Sequence, residues 1–76
     1  MSPKLPRITA AELLRALRHD GWRPERQSGS HIILKHPTKS GYVTVPMHAS
    51  MILKLKTLKT ILEQAGLTVE DLRRLL

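Results

Sequence analysis

The chain has no cysteine, which removes disulfides and thiolate metal sites and fits a reducing compartment. No apolar run approaches the roughly 20 residues of a membrane span, and no apolar signal region opens the chain, so the cytoplasm is the expected location. Acidic residues are scarce, six Asp+Glu in 76 positions, and they do not cluster as two-metal phosphoryl chemistry requires. No Cys/His spacing suggests zinc, and none of the four glycines sits in a loop that could cradle phosphates. There are no internal repeats or low-complexity segments, which leaves one domain over residues 1–76. Neither metal nor cofactor is expected. An enzyme of this composition acting on a polyanion would use its side chains as acids and bases.

Basic residues are abundant by contrast. Thirteen Lys+Arg against six Asp+Glu give a formal net charge of +7 with histidine neutral. Such a charge favours an anionic partner, nucleic acid or an acidic protein, unless it serves solubility alone. A core drawn from so short a chain is marginal, and domains of this size often lean on a partner.

Residues 1–7, with Pro3 and Pro6, read as a flexible arm. Thr9 and Glu12 form a capping box, and Leu13, Leu14 and Leu17 make an apolar stripe that ends at Gly21, predicting a helix over Ala10–Asp20. Trp22–Gln27 reads as a strand at a sheet edge, because Pro24 cannot donate to a ladder. Ser28-Gly29 is a turn, Ser30–His36 a second strand, residues 37–41 another turn, and Tyr42–Met47 a third strand. Leu55, Leu58, Ile61, Leu62 and Ala65 have helical spacing and Gly66 closes the segment, which predicts a helix over Lys54–Ala65. Thr68 caps a last helix, Val69–Leu75, with Glu70 and Asp71 in its first turn. The fold class is α+β: α-β-β-β-α with a short C-terminal helix, the three strands antiparallel and the helices on one face.

The apolar alternation fixes which face is buried. Val43, Val45 and Met47 must share a face with Ile32 and Leu34, because a one-residue slip would reverse the match. Leu34 then pairs with Val45 or with Val43. The first register sets His31 opposite His48, and the second sets them diagonally on one face. Either way His31, Ile33, Lys35 and Thr44 lie on the open face, with His48 if pairing persists beyond Pro46. Histidine has the unperturbed pKa nearest neutrality and can give or take a proton. His31, at the tight turn after Gly29 and Ser30, is therefore the candidate acid or base, set against the plain reading of an inert strand histidine. His48 is either a supporting proton carrier or a loop residue. His36 falls on the core side as a strand-end residue with a satisfied ring, and His19 suits the C-terminal dipole of the first helix. Arg26, Lys35, Lys39, Lys54, Lys56 and Lys59 are candidates for phosphate contacts, with surface solvation as the alternative.

The helix ending His-Asp-Gly21-Trp22, then Gly29-Ser30-His31-Ile-Ile-Leu-Lys-His36-Pro37, then Val43-Thr-Val-Pro46-Met-His48, then Thr57-Leu58-Lys-Thr-Ile61-Leu62-Glu-Gln-Ala65-Gly66-Leu67 together resemble the HicA toxin family over about Ile8–Leu72. The resemblance implies a fold like a double-stranded-RNA-binding domain and activity as a ribosome-independent mRNA interferase. It also implies a HicB antitoxin as partner in a type II toxin–antitoxin pair. The family's catalytic histidine is that of its Gly-Ser-His motif, which is His31 here, and His48 matches a frequent family position. Family members often carry Pro-Gly or Lys-Gly where this chain has Leu55-Lys56, so the loop before the second helix is expected to differ. Three functions compete: a toxin ribonuclease using His31, a non-catalytic RNA-binding module, and a domain that only docks an acidic protein.

Overall fold

Thr9 and Glu12 start the first helix as their spacing demands. The Glu12 amide donates to Thr9 Oγ1 at 3.2 Å and the Thr9 amide to Glu12 Oε1 at 2.9 Å. The computed structural model describes residues 4–47 and 50–76, and in it this helix, α1, spans Ala10–His19. The strands follow as β1 Arg23–Ser28, β2 His31–Lys35 and β3 Tyr42–Pro46, then the helices α2 Leu55–Ala65 and α3 Val69–Leu75. A second capping box, Thr68 with Asp71, opens α3. The Thr9 and Thr68 backbone amides hold the Glu12 and Asp71 carboxyls below their usual range. Lys54 is the N-cap of α2 and contributes no side-chain cap bond, so the helix begins one residue later than its periodicity predicts. Among the described residues no helix is long and apolar enough to cross a membrane.

The sheet is antiparallel in the order β1-β2-β3. Of the two registers compatible with the apolar pattern, the chain adopts the one pairing Leu34 with Val43, Ile32 with Val45 and His31 with Pro46. The covered face thereby presents Leu34, Val43 and Val45 to Leu13 and Leu17 of α1 and to Leu58, Ile61 and Leu62 of α2, all in one buried cluster with Trp22 and Leu72. Fully burying each such side chain contributes about 1.5–3 kcal/mol. The Met47 amide donates to the Ser30 carbonyl, so pairing continues one residue past Pro46. Backbone groups alternate along β2, and this bond therefore sets which positions face outward. Pro46 and Pro24 both occupy places where the nitrogen points away from β2, as an edge proline requires.

One end of the molecule is fastened by a polar knot. Trp22 is 0% exposed, and its indole N–H donates to Asp20 Oδ2 at 3.2 Å. Lys39 Nζ donates to the same carboxylate oxygen at 2.7 Å and to the Ala65 carbonyl at 3.0 Å. The His36 ring stands edge-on to Trp22, centroids 5.1 Å apart. Its Nδ1 accepts the amides of Thr38 and Lys39, both at 3.1 Å. Because Nδ1 accepts, Nε2 carries the proton, which it donates to the Asp20 carbonyl at 2.7 Å. His36 is thus the satisfied strand-end residue expected of it. His19 is structural as well, with Nδ1 donating to the Leu75 carbonyl at 2.9 Å and tying α1 to α3.

Candidate active site

His31 owes its place to a two-residue hairpin. Ser28 pairs with His31, which leaves Gly29 and Ser30 as the loop. Gly29 has φ +60, and among the described residues no non-glycine residue has positive φ. That combination is the type II′ turn, whose right-handed twist matches the strands. Gln27 Nε2 donates to the Gly29 carbonyl at 3.2 Å from one side, and Met47 holds Ser30 from the other. The imidazole itself is exposed and makes no hydrogen bond among the described residues, so its ring is within reach of a substrate.

The groove beside it comes from an approach that the sheet pattern does not reveal. At Thr44 the β3 amide faces outward, and Gln64 of α2 accepts it through Oε1 at 3.4 Å. This bond draws the polar flank of α2 up to the β3 edge. His31, Thr44 and Pro46 from the sheet then meet Lys56, Thr57, Thr60 and Gln64 from the helix around an open groove of about 350 Å³, near the lower limit for small-ligand sites. A proton carrier, a cation and several hydroxyl or amide groups therefore line one concavity. Thr60 Oγ1 donates back to the Lys56 carbonyl at 3.1 Å, which settles its hydroxyl rotor and leaves its lone pairs for a ligand. Thr57, Thr60 and Gln64 were not among the residues singled out in the sequence. Their signal was there as a polar stripe, Lys56, Thr60 and Gln64 at i, i+4 and i+8, opposite the buried Leu58, Ile61, Leu62 and Ala65.

The expected cations are distributed unevenly. Lys56 lines the groove. Arg26 pairs with Ile33 and Lys35 with Tyr42, so both lie on the open face with His31, Lys35 about 13 Å along the strand from it. Lys54 borders an adjoining apolar hollow with Pro46, Met51 and Thr57. Lys59 lines the other flank of α2, beside Glu63 and Val69. Lys39 belongs to the knot at the opposite end, bound to Asp20 and the end of α2. His48 lies outside the described residues. Among the described residues no three metal-ligating side chains converge.

No curated protein matches the chain at a significant level. A family model does match, described as HicA toxin of bacterial toxin-antitoxin, over residues 10–67. That span runs from the first residue of α1 through the whole sheet to just past Gly66, and so contains the hairpin, the groove and the knot. With three-quarters of its length under that match, the chain belongs to the HicA toxin family and is the toxin component of a toxin–antitoxin pair, which implies an antitoxin partner.

Proposed function

We propose that the toxin is an endoribonuclease, an mRNA interferase that cleaves RNA by metal-independent acid–base chemistry at His31, and that a HicB-type antitoxin neutralises it in the cytoplasm. The observation that carries this reading is the groove in which the exposed His31 meets Lys56 and the threonine hydroxyls. In cleavage, the 2′-hydroxyl loses its proton as its oxygen bonds to phosphorus. The P–O5′ bond breaks, and the leaving oxygen takes up a proton. His31 serves as base or acid in this exchange. His48, directly after the Met47 that is bonded to Ser30, is the proposed second carrier. Lys56 stabilises the charge that develops on the phosphoryl oxygens. Arg26, Lys35, Lys54 and Lys59 are left for flanking phosphates, while Lys39 is committed to Asp20. An acidic antitoxin seated on the groove would exclude RNA and add apolar burial to a small core.

The test is cleavage of mixed RNA by purified toxin in EDTA, with His31→Ala alongside. The expected loss in the variant is on the order of 10²–10⁴ in rate, with an unchanged circular-dichroism spectrum. Full activity in folded His31→Ala overturns the mechanism. Wild-type protein that binds RNA without cutting it is the binding module instead.

A further inference from the structure

Arg23 and Arg26 are three residues apart, and in a regular strand they would point to opposite faces. They do not, because β1 carries a bulge. Arg23 pairs with Lys35 and Pro24 with Leu34, but Arg26 pairs with Ile33, and Glu25 is the extra residue between. The bulge returns Arg26 to the face that Arg23 already occupies. Bulges commonly re-aim side chains next to active sites. The open face then reads in three rows about 7 Å apart: Arg23, Lys35 and Tyr42, then Arg26, Ile33 and Thr44, then Ser28, His31 and Pro46. Thr44, in the middle row, also lines the groove, so face and groove are continuous.

Tyr42 is the unusual member. It is 55% exposed, it is bonded through neither ring nor hydroxyl among the described residues, and it sits directly across from Lys35. A solvent-facing aromatic ring flanked by cations is a platform for a nucleobase, and only an unpaired base can offer its π-face. The geometry points to a track for single-stranded RNA over this face, with a base stacked on Tyr42, phosphates on Arg23, Arg26 and Lys35, and the strand leading into the His31 groove. Three cations against one carboxylate, Glu25, favour a polyanion here, and the exposed ring beside them suits the bases that such a polyanion carries. The inference rests on the ribonuclease reading and specifies the form of its substrate.

Binding of a labelled oligoribonucleotide to the His31→Ala protein, free and annealed to its complement, separates the possibilities without turnover. The single strand should bind at least tenfold tighter than the duplex. Tyr42→Ala should weaken it about 5–150-fold, the range for loss of one stacked base, while Tyr42→Phe keeps most of the affinity. Arg23→Gln should lower the salt dependence by about 0.7 in the log–log slope. Equal affinity for the duplex overturns the track, as does a folded Tyr42→Ala that binds like its parent or a failure to bind any oligonucleotide. A protein that binds single strands in this pattern but never cleaves them keeps the track and loses the nuclease. One that cleaves with Tyr42→Ala unaffected keeps the nuclease and loses the track.

Discussion

Replacing Gly21 by alanine should bring this protein to the edge of unfolding. Gly21 has φ +106, and a Cβ built there would lie 2.7 Å from His36 Nε2. A free imidazole would swing aside at small cost. This one is held at both nitrogens, by the Asp20 carbonyl on one side and by the Thr38 and Lys39 amides on the other. The substitution therefore combines backbone strain of about 1–3 kcal/mol with the loss of hydrogen bonds to part-buried groups, about 1–3 kcal/mol more. The total stability of a 76-residue domain is about 4–11 kcal/mol, so a loss near 4 is a large share. Gly29→Ala is the control: φ is +60, but nothing lies within 4 Å of the added methyl, leaving only the strain of about 1–2 kcal/mol. Trp22, the one tryptophan, reports unfolding in urea for both variants. If Gly21→Ala costs no more than Gly29→Ala, the pinned ring is not the constraint described, and the knot does not hold this end of the fold.

Two lysines should separate by role. Lys56→Met is expected to lower cleavage at least tenfold with unchanged stability, less than the 10²–10³ typical of a buried oxyanion donor because Lys56 is exposed. Lys39→Met should leave the cleavage chemistry intact and cost about 1–2 kcal/mol of stability, a modest value because about a third of its side chain (35%) is open to water; the reverse pattern would undo the assignment of both. Acid should weaken the fold through the two capping boxes. Glu12 and Asp71 have carboxyls held low in the folded state, chiefly by the Thr9 and Thr68 amides, so their contribution is complete above the ordinary carboxylate range and is lost as pH falls through the lowered values. The double variant Glu12→Gln, Asp71→Asn should therefore show a flatter Tm between pH 6 and 3, and a wild-type slope in that variant would exclude the boxes as the acid-sensitive element.

Local signals were legible where chemistry and spacing act within a few residues. The Thr9–Glu12 capping box, the Thr68 cap, the Gly29 turn, the apolar stripes and the closure of α2 at Gly66 are of this kind. The alternation narrowed the β2–β3 register to two, and either would have buried the same valines, so nothing short of the folded sheet could choose. The resemblance to a toxin family pointed to the family that the matched span bears out. What the sequence concealed was long-range. Lys39 looks like any turn cation until α1 and α2 bring Asp20 and the Ala65 carbonyl to it. Thr57, Thr60 and Gln64 look like solvated helix positions until the Thr44 amide draws α2 against the sheet edge. The bulge at Glu25 was hidden because Pro24 and the flanking charges carry no apolar alternation from which a shift could be read.

The prolines at the two rims of the sheet have a consequence for how the toxin meets other chains. Pro24 on β1 and Pro46 on β3 each remove an outward donor, the Thr44 amide beside Pro46 is taken by Gln64, and β1 is further interrupted by its bulge. Neither rim can template another strand over more than a residue or two. Both rims are therefore poor templates for one copy to extend the sheet of another. By the same logic, the side chains and faces of the toxin offer an inhibitor more to grip than its strand edges do.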